Sequence, residues 1–111
     1  TAAVAKASAG AIEHIAIDKV TNIASTIDEL KERGVWIYGA EADGSAYYDT
    51  RFDSASAIVF GSEGGGISRL VREKCDFIIS IPMYGKVNSL NVSCAAAVIL
   101  SEAARQQRQS R

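Results

Sequence analysis

The sequence predicts an α/β domain built around a mostly parallel sheet flanked by helices. Two observations carry that prediction. Short apolar runs such as VWIY at 35–38 and SAIVF at 56–60 alternate with segments of helical period, and strands this apolar are buried on both faces, as in parallel sheets. Glycine or proline closes each run, at Gly39, Gly61 and Pro82, where a strand must give way to a turn.

The elements follow in order. Residues 1–8 (TAAVAKAS) are good helix formers and predict a helix that begins abruptly. Residues 11–17 (AIEHIAI) set Ile15 and Ile17 on one face of a strand. Over 21–33, Ile23, Ile27 and Leu30 stand at i, i+4 and i+7, with Gly34 placed as the residue after a helix end. A buried strand at 35–38 follows. Residues 41–54 are polar and turn-rich, a loop in which Tyr47, Tyr48 and Phe52 imply some packing. The strand at 56–60 leads into the glycine-dense loop 61–66. A helix over 67–75 turns Ile67, Leu70 and Val71 inward, and the strand DFIISI at 76–81 ends at Pro82. A loop over 83–89 precedes a long Ala-rich helix over 90–107.

Composition narrows the class. A chain of 111 residues suits one domain, and 48% apolar with 23% charged residues is the balance of a globular protein. Disorder does not fit recurrent Val, Ile, Leu and aromatics with a single Pro. No stretch reaches the roughly 20 apolar residues of a membrane span; the low-charge run 87–101 carries Asn88, Ser89, Asn91, Ser93 and Ser101. Twelve basic against thirteen acidic residues leave a net charge of −1, so general electrostatic adhesion to nucleic acid is not expected. Cys75 and Cys94 sit in apolar surroundings without CxxC spacing, which predicts reduced, buried thiols, no metal site and a cytoplasmic setting. No signal peptide is visible, and the absence of an initiator Met predicts a processed chain or a fragment.

Ligands of open α/β sheets gather beyond the carboxyl ends of the strands, where two loops are unusual. The first, Gly61-Ser62-Glu63-Gly64-Gly65-Gly66, has four glycines in six residues. Glycine permits close backbone approach to a ligand, although a flexible turn explains the composition equally well. The run is neither a Walker loop nor a dinucleotide fingerprint, because both spacings are absent. Glu63 is an acid presented among glycines. In the second loop, IPMYGKVNSLN at 81–91, Ser89 is a fair helix N-cap and Asn88 or Asn91 can satisfy backbone groups there. The same helix start also suits a polar or anionic ligand. His14 reads as a core or surface residue without a partner. Arg105, Arg108 and Arg111 read as a solvated helix end, and Trp36, Tyr47 and Tyr48 as core or lid.

The order IVFGSEGGGIS, then CDFIISIPMYGKVNSLNVSCAAAVIL, then SEAARQQR, resembles the second and third motifs of the SpoU/TrmH family. These are SPOUT-class enzymes that methylate RNA ribose 2′-hydroxyls with S-adenosylmethionine. KASAGAIEHI and VTNIASTIDELKERGVWIYGAEADG resemble most closely the branch acting on a guanosine of 23S ribosomal RNA. The likeness spans nearly the whole chain, which would be a SPOUT methyltransferase domain over residues 1–111. It implies a deep trefoil knot made by the C-terminal segment, a rare topology, and a homodimer packed through helices.

By motif, the implied cofactor-binding positions are Gly61, Ser62, Glu63, Gly64, Ile81, Met83, Ser89, Leu90 and Asn91. Glu63 matches the acid of the second motif, and Ser89 and Asn91 the polar pair of the third; these three are the implied catalytic positions. The family's first motif, with its Asn and Arg, and the RNA-recognition domain of this branch would precede Thr1. Gly64-Gly65-Gly66 stands where relatives often carry a Lys, and Ser101 where an aromatic is common.

Three readings follow. The first is transfer of a methyl group from S-adenosylmethionine to a ribose 2′-hydroxyl of ribosomal RNA, which needs alignment of two reactants and removal of one proton. The second is a non-catalytic fragment that dimerises and binds the cofactor. The third is an unrelated nucleotide-binding α/β domain.

Overall fold

The computed structural model describes residues 2–8, 11–17, 23–52, 54–61, 67–82 and 92–109, with side chains placed in 23–52, 54–61, 67–82 and 97–109. At one edge, β1 (Ala2–Ser8) and β2 (Ala11–Ile17) form an antiparallel pair in which Ser8 faces Ala11 and Ala2 faces Ile17. Three further strands, β3 (Trp36–Ala46), β4 (Ser56–Phe60) and β5 (Phe77–Ser80), run parallel to one another. The sheet order is β2-β1-β4-β3-β5, with β1 antiparallel to β4. The parallel part of the expectation therefore holds for β3, β4 and β5, and the remaining edge is an antiparallel pair.

That edge corrects the helix expected over 1–8. Alanine-rich residues favour a helix only weakly in isolation, and here Ala2–Ser8 pairs with a strand on each side. Two complete ladders outweigh a local preference of a few tenths of a kcal/mol per residue.

Helices cover both faces. α1 (Ile23–Glu32) and α2 (Arg69–Lys74) lie on one side, where Ile27, Val35, Ile37, Ala57, Val59 and Val71 form a buried cluster joined by Ile23, Leu30, Ile67 and Cys75. α3 (Val92–Gln109) lies on the other, where Ile99, Leu100 and Ala103 pack on Tyr38, Phe52, Ile58, Phe60 and Ile79. The alternation along β4 is complete: Ala57 and Val59 face α1 and α2, whereas Ile58 and Phe60 face α3. Ile67 and Val71 point inward as expected, but Leu70 is 57% exposed. α2 is only six residues long, too short to bring a third apolar position round to the sheet.

Local chemistry fixes the ends of α1 and α2. Gly34 adopts φ 81°, and the Gly34 and Val35 amides donate to the Lys31 and Leu30 carbonyls, the left-handed helix stop expected there. Ser68 caps α2 by accepting from the Val71 amide at 3.3 Å.

The segment 41–54 is more ordered than the loop its polarity predicts. β3 leaves the sheet at Ala40 and rejoins it at Ser45, both residues registering with Ile79. A single turn of 3-10 helix, Tyr47–Asp49, then leads to Phe52, which is fully buried. α3 holds this return from behind. Gln106 Oε1 accepts the Phe52 amide at 2.7 Å, Gln106 Nε2 donates to the Thr50 carbonyl at 2.7 Å, and Gln107 Nε2 donates to the Ser54 carbonyl at 3.0 Å.

Candidate functional site at the carboxyl edge of the sheet

β4 and β5 flank β3, and Ala40 registers with Phe60 on one side and Ile79 on the other. The chain therefore exits at Gly61 and at Ile81 on opposite sides of β3, about 10 Å apart from two strand spacings. This is the edge at which ligands of parallel sheets collect. The described side of the site is half-buried and mainly apolar or backbone: Ala40, Gly61, Ile81 and Pro82. Of the expected site residues, Gly61 and Ile81 are thus brought to the same edge. Ser62, Glu63, Gly64, Met83, Ser89, Leu90 and Asn91 lie outside the described residues, as does the rest of the loop 83–91 that leads into the C-terminal segment expected to form the knot.

The excursion 41–44 stands at the same level and brings charge that the motifs did not indicate. Arg72 on α2 places its fork on Asp43, with Nη1 donating to Oδ1 at 3.0 Å and Nη2 to Oδ2 at 2.9 Å. Those bonds hold the Asp43 carboxyl below its ordinary range and raise the guanidinium in turn. Arg72 Nη1 also lies 3.8 Å from Glu41 Oε1, and that oxygen accepts the Ile67 amide at 3.3 Å. Ser80 Oγ donates to the Gly44 carbonyl at 2.9 Å and pins the far end of the excursion to β5. Gly44 is required there, because a Cβ would stand 2.6 Å from backbone atoms of Ile79.

The remaining sequence candidates sort by contact. The Cys75 thiol donates to the Val71 carbonyl at 3.3 Å, and burial, reinforced by Asp76, pushes it up to about 11, so it is a packing residue. Arg105 is engaged by Glu102 at 2.7 and 2.9 Å and by Gln109 at 3.1 Å. Trp36 and Tyr48, expected as core or lid, are 48% and 54% exposed. Trp36 begins β3 at the opposite end of the sheet and meets Phe77 with ring centroids 6.0 Å apart. Among the described residues, no group of three or more His, Cys, Asp or Glu is arranged to hold a metal ion.

The comparison that decides the family is a match of residues 1–101 to the SpoU rRNA Methylase family. The chain belongs to that family. It is 57% identical over 110 residues to a Staphylococcus haemolyticus protein named for the TrmH tRNA/rRNA methyltransferase family, covering 98% of this chain and 44% of that protein. A Staphylococcus epidermidis protein of the same name is 54% identical, again over 98% and 44%. The chain thus spans less than half the length of these relatives. Among solved structures, the A. aeolicus TrmH/SpoU tRNA modifying enzyme superposes with a TM-score of 0.73 at 35% identity, over 82% of this chain and 47% of that one. The SpoU methyltransferase AviRb from Streptomyces viridochromogenes, crystallised with its cofactor AdoMet, gives 0.71 at 31%, over 79% and 37%. In this SpoU chain the family match takes in β1 through β5 and reaches into α3, so the carboxyl edge is part of the family's common fold. Glu41, Asp43 and Arg72 were missed because no short motif joins them; the only sequence signal was two acids in an otherwise apolar strand's continuation.

Proposed function

We propose that this chain binds S-adenosylmethionine at the carboxyl edge of β4 and β5 and directs its methyl group to a ribose 2′-hydroxyl of ribosomal RNA, within a homodimeric protein whose C-terminal segment is knotted. The observation that carries the reading is the convergence of Gly61 and Ile81, the described members of the two motif loops, on opposite sides of Ala40. AviRb's capture with AdoMet supports it.

The described residues fit such a cofactor. Small residues and strand-end backbone line the edge at Ala40 and Gly61, which favours an adenosine-like group held by main-chain contacts and apolar packing. When bound, the cofactor supplies a methyl group already activated on a positively charged sulfur. The chain's part is alignment, which accounts for several kcal/mol of barrier lowering, about 7–11 at best, and exclusion of water from the edge. The proton of the 2′-hydroxyl must leave as the oxygen–carbon bond forms. Glu41 and Asp43 are committed to the Ile67 amide and Arg72, so in this reading Glu63, Ser89 and Asn91 orient the ribose and its proton acceptor. The groove of about 980 Å³ along α3, with Tyr47, Val98, Leu100 and Arg108 among its lining, is where the proposal places the second subunit.

The test is single-turnover transfer of tritium from methyl-labelled S-adenosylmethionine to ribosomal RNA by the 111-residue chain, followed by nucleoside analysis. The reading expects a 2′-O-methyl nucleoside. Label on a base, or on transfer RNA alone, would overturn the substrate assignment, and no transfer by a chain that binds the cofactor would favour the non-catalytic module.

A further inference from the structure

On the α3 side of the sheet, Ile58, Phe60 and Ile79 are covered, but Trp36 and Phe77, at the amino end beside the β5 edge, are 48% and 49% exposed. Tyr38 registers with Phe77, and the two rings stack with centroids 5.2 Å apart at 23°. Trp36 extends the row, 6.0 Å from Phe77. A groove of about 610 Å³ runs from Phe77 along β5 to Ile79 and Ser45. Its other wall is the return segment, where Asp49 and Arg51 line it and Tyr38 Oη donates to the Arg51 carbonyl at 2.9 Å. Ile81, at the carboxyl edge, lies about 13 Å beyond Phe77 along the strand.

We propose that Phe77 and Trp36 form a stacking platform for an unpaired base of the RNA substrate, with Asp49 reading the edge of that base. The inference rests on the reading that RNA is the substrate. An exposed aromatic pair suits a base, because every base has a flat face to stack. The charges of the groove favour a base over an apolar protein side chain. The side chain would take water from Asp49 and Arg51 and return no partner. Amino groups on a base edge donate to a carboxylate, and the phosphodiester accepts from a guanidinium. The groove's other acid, Asp76, is already engaged: its Oδ2 accepts the Ile37 amide at 2.8 Å and its Oδ1 lies 3.6 Å from Lys31 Nζ. The stacked base would then sit a few nucleotides along the strand from a ribose held at the carboxyl edge.

Trp36 is the chain's one tryptophan, so its emission reports on the platform directly. The probes are ribosomal RNA and single-stranded oligocytidylate and oligouridylate, each about twelve nucleotides long, and anisotropy of an end label reads total binding. The two oligonucleotides differ by an amino group against a carbonyl. Both should quench Trp36 saturably, with oligocytidylate bound about fivefold tighter. Phe77→Leu should weaken both about tenfold, the worth of one stacked base, and Asp49→Ala should bring the two affinities within about twofold of each other. Circular dichroism melting identifies a variant that has lost the fold; should Phe77→Leu do so, Asp49→Ala, at an exposed position, decides alone. Binding with unchanged Trp36 emission, or unchanged affinities in Phe77→Leu, would overturn the platform and leave the substrate reading standing, as would a chain that binds ribosomal RNA and neither oligonucleotide. Equal wild-type affinities for the two would overturn the role of Asp49. A chain that binds no RNA would overturn the substrate reading and the platform with it. Trp36 emission that shifts with chain concentration alone would assign the patch to a second copy of the chain and overturn the proposal.

Discussion

Replacing Gln106 with alanine tests whether α3 holds the return segment as the geometry says. The wild-type amide accepts the Phe52 N–H at 2.7 Å and donates to the Thr50 carbonyl at 2.7 Å and to Glu102 Oε2 at 2.8 Å. Alanine leaves the first two backbone groups without that partner beside a fully buried Phe52. An orphaned buried group costs about 1–3 kcal/mol, and the part-buried setting puts each near the lower end, for a total of about 2–3 kcal/mol. For a domain of this size that lowers Tm by about 8–12 °C. Urea denaturation should show the midpoint falling at unchanged slope. Two other variants calibrate the result. Gln107→Ala gives up the bond to the Ser54 carbonyl and should cost about 1 kcal/mol, while Glu29→Ala on the exposed face of α1 should stay within about 0.5 kcal/mol. A loss below about 0.5 kcal/mol for Gln106→Ala would refute the reasoning, because it would mean water replaces the glutamine at no cost.

Three further outcomes follow from the same geometry. Gly44→Ala drives a Cβ to 2.6 Å from the backbone of Ile79 and should destabilise by about 3 kcal/mol or more in urea, since backbone cannot move aside as a flexible side chain can. In a Cys94→Ser background, Cys75 should resist iodoacetamide at pH 8 and react appreciably only as pH approaches 11, because burial pushes its thiol up to about 11 and only the thiolate attacks; rapid alkylation at pH 8 would contradict this. Glu102 is held down to about 2 by hydrogen bonds from Arg105 and then Gln106. Its folded value lies below the unfolded one near 4.5, so its stabilisation is complete above pH 4.5 and lost as pH falls toward 2. Arg105 is 55% exposed, and screening limits the effect to about 0.5 kcal/mol. Glu102→Gln should flatten that part of the stability profile.

The parallel centre of the fold was legible because a run such as SAIVF, buried at every position, needs cover on both faces, and two-sided burial admits few arrangements. Gly34 was legible because a helix stop is a local event that one residue decides. The edge was not: Ala2–Ser8 carries a weak local preference, and its strand state comes from ladders with residues 11–17 and 56–60 that no local pattern encodes. The continuation of β3 past Ala40 was hidden by its own excursion, which interrupts the apolar run with Glu41 and Asp43. Gln106 and Gln107 carried no signal in the sequence, since a glutamine whose partners lie more than fifty residues away has the composition of a surface residue. At the site, the motif loops were legible as motifs, and the register then brought Gly61 and Ile81 to one edge. The acids that brace that edge were not legible, because their partner Arg72 is about thirty residues distant in sequence.

The most direct measurement is calorimetric titration of the 111-residue chain with S-adenosylmethionine, with Asn91→Ala as the paired variant. Saturable binding to the wild type that Asn91→Ala abolishes, with both chains folded by circular dichroism, is the predicted result. A folded wild-type chain that binds ATP and not S-adenosylmethionine, or that binds S-adenosylmethionine equally well with alanine at 91, would contradict the account.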